Sequence, residues 1–166
     1  MWMLICEVMS TVSPEILSQF KKWCDKSERC KADVLIRAHR LGISSEVSKR
    51  LLAELENGGW IDEQRYAKAF VHDKSTLAKW SEKRIKLMLK TKGIPHAFVQ
   101  SAIEEEYVLD ETLEIKRWIE TKLKTSKHSD ARKRYASIFR FLMNKGFSGE
   151  KVLEALRIYK DEFESI

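Results

Sequence analysis

Adjacent carboxylates at Asp62 and Glu63, a run at Glu104-Glu105-Glu106, four histidines and three cysteines are the residues that could carry bond chemistry. Their spacing argues against it. Neighbouring helical positions point about 100° apart, so Asp62 and Glu63 cannot converge on one atom, and both sit where a helix N-terminus favours anions. The glutamate run reads as a solvated helix end. His39, His72, His96 and His128 never fall four residues from another ligand type, which leaves no zinc site. Cys24 and Cys30 are six apart rather than in a redox Cys-x-x-Cys, and with Cys6 they make an odd set without metal spacing. Free buried thiols in a reducing cytoplasm are the plain reading. No Walker loop, Gly-x-Gly-x-x-Gly or nucleophile elbow occurs. These patterns predict a protein that is not an enzyme and needs no metal or other cofactor.

The remaining chemistry is basic. The formal charge is +6 over 166 residues, but residues 1–73 balance at 11 basic and 11 acidic side chains. Residues 74–95 then carry seven basic and one acidic, 96–115 carry six acidic and no Lys or Arg, and 116–145 carry ten basic against two acidic. On a helix beginning near Ser81, Ile85, Met88 and Leu89 make the apolar face. Lys83, Lys86 and Lys90 cluster opposite them, with Arg84 on the flank and Lys79 upstream. On a helix beginning near Ser129, Tyr135, Ile138 and Leu142 face inward. Lys133, Ser137, Arg140 and Asn144 share the outer side, while Arg132 and Arg134 flank the stripe. Two such faces merging into one strip favour phosphate or carboxylate binding over simple solvation. Trp60 and Trp80 invite a base-stacking reading, but packing is the commoner role for a Trp beside a helix start.

A repeat positions these faces. Gly42, Gly93 and Gly146 lie 51 and 53 residues apart, and apolar residues recur at −8, −4, +1 and +10 from each. They are Val34, Ala38, Ile43 and Leu52; Ile85, Leu89, Ile94 and Ile103; and Ile138, Leu142, Phe147 and Leu156. Positions −8 and −4 are a helical turn apart, and glycine closes the helix in the left-handed conformation with the next apolar residue folded back. Ser44, Pro95 (at a first-turn position) and Ser148 open the helices that follow. A further helix precedes each pair, starting at Ser13-Pro14-Glu15, Asp62-Glu63 and Asp110-Glu111. Ile16, Phe20 and Trp23, then Tyr66 and Phe70, then Leu113 and Trp118 give these their core stripes. The first unit's middle helix carries Asp33, Ile36 and Arg40 where the other two are cationic.

The spacing predicts an all-α protein of three tandem three-helix repeats, stacked into an elongated, curved body because one unit of about 50 residues is marginal alone. The units run over 13–58, 59–107 and 108–160, after an N-terminal extension at 1–12 and before a tail at 161–166. With 43% apolar and 34% charged residues, 6 Gly and 2 Pro, disordered and low-complexity classes are excluded. No apolar run approaches the roughly 20 residues that span a bilayer, and residues 1–12 lack the basic region and cleavage site of a signal peptide. A soluble cytoplasmic chain without a membrane partner follows.

Gly59-Trp60-Ile61-Asp62-Glu63-Gln64-Arg65-Tyr66-Ala67 resembles a signature of the RecX family, regulators of the RecA recombinase. Trp80-Ser81-x-x-Arg84-Ile85-x-x-x-Leu89-x-x-Lys92-Gly93-Ile94 and Asn144-Lys145-Gly146-Phe147 are similar to later blocks of that family. The likeness runs from about Pro14 to Ile158. It departs at Ser81, where the family usually has Gly, and at Cys30-Lys31-Ala32-Asp33-Val34, where a Ser-x-x-Glu-Leu-like start is usual. The resemblance implies a non-enzymatic modulator, an inhibitor, that lies in the groove of the RecA–DNA filament and restrains ATP hydrolysis and strand exchange. That role belongs to recombination, DNA repair and the SOS response, for a monomer that binds bare single- or double-stranded DNA weakly. A stand-alone helical DNA-binding module and a plain helical scaffold are the other readings the residues allow.

Overall fold

A computed structural model describes residues 12–125, 130–160 and 163. Nine α-helices and no strand occur among them: α1 Pro14–Cys24, α2 Lys31–Arg40, α3 Ser45–Asn57, α4 Glu63–Thr76, α5 Glu82–Thr91, α6 His96–Glu106, α7 Glu111–Thr125, α8 Ala131–Lys145 and α9 Gly149–Ile158. Expectations for residues 1–11 with Cys6, for His128 and Ser129, and for the tail other than Phe163 lie outside the described residues.

Local side-chain chemistry sets the starts. Ser13 Oγ accepts from the Ile16 amide at 3.3 Å, Ser44 Oγ from Val47 at 3.3 Å and Ser148 Oγ from Lys151 at 3.3 Å. Asp62 Oδ1 accepts from both Gln64 and Arg65 at 2.9 Å, and Asp110 and Asp130 cap α7 and α8 in the same way. Each such cap contributes about 1 kcal/mol by pairing an amide the helix leaves open. Pro95 sits one residue earlier than the first-turn position expected for it: its carbonyl takes the first helical bond, from Val99 at 3.1 Å.

Glycine sets the stops. Gly42 and Gly93 have φ of +71° and +77°, and the residue after each donates back five positions, Ile43 to Ala38 O at 3.0 Å and Ile94 to Leu89 O at 3.1 Å. Gly146 differs. Its φ is +90°, and a Cβ there would fall inside contact distance of Arg84 Cβ and 2.6 Å from Ser81 Oγ. The end of α8 is pressed against the start of α5, where the Ser81 amide donates to Lys145 O at 3.0 Å.

Backbone contacts divide the chain into two units, Met1–Phe70 with Leu89–Ala102 and Val71–Met88 with Ile103–Ile166. The first has a core of Phe20, Val34, Ala38, Leu51, Leu55 and Ile61; the second is built on Ile115, Ile119, Ile138, Leu142, Phe147 and Leu156. The four repeat positions are buried around Gly93 and Gly146. Around Gly42, Ile43 and Leu52 are only half-buried. The cause is the residue at +9, buried in all three copies: Ala102 and Ala155 are small and let +10 sink in, whereas Leu51 fills the seat itself. Leu113 is exposed, not in the stripe expected of it, because α7 packs along Ile115, Ile119 and Leu123. Phe20 and Tyr66 are buried, with Ile16, Trp23, Phe70 and Trp118 half-buried beside them.

Gly42→Ala meets nothing within 4 Å and suffers only the positive-φ penalty, about 1–2 kcal/mol, whereas Gly146→Ala adds an overpacking cost of about 1–3 kcal/mol. Urea unfolding followed by circular dichroism should rank the two in that order. Equal losses would contradict the close approach of α8 to α5.

Candidate nucleic-acid interface

The basic faces stand on α5 and α8, and the structure sorts their cations into two groups. Lys83 and Lys90 are exposed on α5, and Arg132, Lys133 and Arg140 are exposed on α8 beside Ser137 and Asn144. Lys86 is half-buried and pairs with Glu82 one turn back at 2.5 Å. Lys79 is half-buried in the turn before α5, with φ of +52°. Arg84 lies over the Trp80 ring at 3.7 Å and donates through Nη1 to the carbonyl of Asn144. It serves the α5–α8 junction more than any outer face.

Arg134 corrects the sequence reading outright. It is 2% exposed, because 134, 138 and 142 lie on one row of the helix, so Arg134 continues the Ile138–Leu142 stripe rather than flanking it.

A cation–aromatic cluster at the same junction escaped the sequence reading. Lys74 lies 5.3 Å from the Trp80 ring, opposite in role to a base: with Arg84 also on that ring, no base-stacking platform is built there. Lys122 sits 4.4 Å from Phe141, and Lys145 lies 5.1 Å from Trp118 while donating to Ala78 O at 2.7 Å. Burial, then the neighbouring charges of Arg84 and Lys122, lower the Lys145 ammonium from its usual range. The available signal was an aromatic followed four residues later by a cation, at Trp80/Arg84 and Phe141/Lys145. The start of α5 is fastened further by Glu82 N, which donates to Tyr107 Oη at 3.0 Å and Glu111 Oε1 at 3.1 Å.

The signature residues are likewise spent inside the first unit. Gly59 ends α3 at φ +72°, Ile61 is buried, and Trp60 is half-buried against the core. Arg65 donates through Nε to Glu28 at 2.6 Å and through its terminal nitrogen to Gly59 O at 3.1 Å. Lys92, before the Gly93 turn, reaches Asp33 at 2.6 Å and lies 5.7 Å from the Tyr66 ring. Asp33 also accepts from the Cys30 amide at 3.4 Å and thiol at 3.3 Å, so the chain's departure at residues 30–33 keeps a reciprocal cap at the start of α2. Cys24 and Cys30 are both buried free thiols, each pushed up in pKa first by burial. Among the described residues no group of His, Cys, Asp or Glu could hold a metal, and no helix is long and apolar enough to cross a membrane.

Family profiles for the second and third three-helix domains of RecX match residues 62–103 and 114–156. The chain belongs to the RecX family. It is 30% identical over 122 residues to the regulatory protein RecX of Finegoldia magna, covering 72% of this chain and 60% of that protein. It is 26% identical over 113 residues to a regulatory protein RecX of Thermus thermophilus, covering 68% and 70%. Two crystal structures share the fold: one of regulatory protein RecX at TM-score 0.66 and 17% identity, over 85% of this chain and 71% of that one, and RecX from Lactobacillus salivarius at 0.54 and 20%, over 90% and 97%. The chain spans 60% of the Finegoldia magna protein and 36% of the Oceanobacillus iheyensis one.

The Asp33–Lys92 pair gives a pH test. Burial works against both charges, but their mutual bond, with the Cys30 donors, leaves Asp33 below its usual 3.8 and Lys92 above its usual 10.5. A lowered carboxyl stabilises fully above 3.8 and loses that contribution as pH falls through its folded value; the raised ammonium keeps its own below 10.5 and loses it above. Asp33→Asn should therefore cost about 1–3 kcal/mol at pH 7, as expected for a charged hydrogen bond, and the gap should close below pH 3.8 in urea titrations. A gap independent of pH would contradict the pairing.

Proposed function

We propose that this RecX-family chain is a non-enzymatic regulator of the RecA recombinase, acting within recombination, DNA repair and the SOS response in the cytoplasm. It binds in the groove of the RecA–DNA filament as a monomer and restrains ATP hydrolysis and strand exchange. Three-helix units over 13–58, 59–107 and 108–160 are the domains of this reading. One observation carries it beyond the family name. Lys83 and Lys90 on α5 and Arg132, Lys133 and Arg140 on α8 remain exposed, although the same helices have committed Arg84, Arg134 and Lys145 to the interior or the junction. Long, exposed cations spaced along helices fit a phosphate-bearing partner. A charge of +6 limits how many phosphates bare DNA can offer them at once, so binding to DNA alone belongs in the non-specific range of about 10⁻⁴ to 10⁻⁶ M.

The test compares Lys83→Glu/Lys90→Glu/Lys133→Glu/Arg140→Glu with an equal reversal at Lys22, Lys26, Lys49 and Arg50, all exposed in the first unit. The wild-type chain should depress the single-strand-dependent ATPase of RecA. The first variant should lose that effect while keeping its helicity, and its salt dependence should flatten by about 0.7 log units per phosphate contact removed on single strands. The second should act like wild type. Equal loss in both would reduce the effect to bulk charge, and tight duplex binding without RecA would favour a stand-alone DNA-binding module.

A further inference from the structure

The charge pattern predicts no cationic face on the first unit's middle helix, yet that unit holds a cationic surface built differently. A cleft of about 530 Å³ opens beside α2, lined by Trp23, Arg29, Asp33, Ile36, Arg37, Arg40 and Leu41. Its arginines come from two places in the chain. Arg29 precedes α2, while Arg37 and Arg40 stand on the last turns of that helix. The Arg29 guanidinium lies 4.5 Å and that of Arg37 4.7 Å from the Trp23 ring. Both Nε atoms are buried without a hydrogen-bond acceptor. Asp33 contributes little countercharge, because Lys92 already holds its carboxylate at 2.6 Å. Beside the cations, Ile36 is 51% and Leu41 54% exposed.

From this geometry we infer that the cleft is a docking site for a protein segment that presents carboxylates next to apolar side chains. The indole gathers the two guanidinium groups on one ring, at 4.5 and 4.7 Å, and a planar guanidinium is the side chain best suited to take a carboxylate through two parallel bonds. The same bonds could go to a phosphodiester, but two features favour a protein. The indole carries arginines where a base would stack. A nucleic acid backbone would also leave Ile36 and Leu41 in water, while an apolar side chain would cover them. This site lies outside both basic faces.

The experiment uses the full chain and a fluorescein-labelled peptide, Gly-Ser-Leu-Glu-Glu-Leu-Asp-Ser-Gly, with a second peptide carrying Gln and Asn in place of the acids. Twelve-nucleotide oligothymidylate serves as competitor. The acidic peptide should bind by anisotropy, shift the Arg29 and Arg37 Nε–H and Trp23 indole resonances, and resist displacement by the oligonucleotide. Arg40→Glu, at an exposed position, should weaken it at least tenfold, and Ile36→Ser several-fold. Lys49→Glu, the same charge change on exposed α3, should alter it less than twofold. Binding that is equal for the amide peptide, or unchanged by Arg40→Glu, would overturn the inference. Displacement by oligothymidylate with the same resonances shifting would assign the cleft to nucleic acid instead.

Discussion

A helix that must stop beneath an apolar side chain is the constraint on which this molecule turns. Where α2 and α5 end, a glycine at positive φ lets the next amide reach back five residues, and the apolar residue carrying that amide turns toward the helix it has just left. The turn is local, so it can be written into a short string of sequence, and it fixes the direction in which the next helix leaves. At the end of α8 the same device has a second task. Without a side chain at Gly146, the last carbonyls of α8 come within bonding reach of Ser81 and Arg84 at the start of α5. One helix's unpaired acceptors thereby meet another's unpaired donor, which satisfies both ends together.

Charge is distributed by the same logic. Cations nearest the turns and junctions are held by carboxylates, carbonyls or rings: Lys92 by Asp33, Arg65 by Glu28 and Gly59, Lys145 by Ala78 and the Trp118 ring. The stretch of sequence most diagnostic of the family is therefore a scaffold. Asp62 caps, Arg65 ties two loops and Ile61 fills a core. Lys83, Lys90, Arg132, Lys133 and Arg140 are left exposed, apart from the cations held at the turns and junctions.

Helix starts and stops were legible in the sequence because cap and glycine chemistry act over three to five residues. The four repeat positions of the second and third copies are buried as periodicity predicts. Where the reading slipped, the deciding interaction was between elements or depended on side-chain volume. Arg134 carries a charge, but its row on α8 is the core row. Leu51 displaces Leu52 because of its bulk, which a hydrophobic pattern does not register. The arginine cleft of the first unit was hidden by its own balanced charge, since Glu28 and Asp33 cancel Arg29 and Arg37 in any local count.

The central claim is that scaffold cations and partner cations are different residues. Lysine acetylation read by mass spectrometry, with and without a RecA filament assembled on single-stranded DNA, tests it directly. The account predicts that Lys83, Lys90 and Lys133 lose reactivity on the filament, while Lys22, Lys26 and Lys49 keep theirs and Lys92, its ammonium held by Asp33, stays slow throughout. Protection centred on the first-unit lysines, or none at Lys83, Lys90 and Lys133, would contradict it.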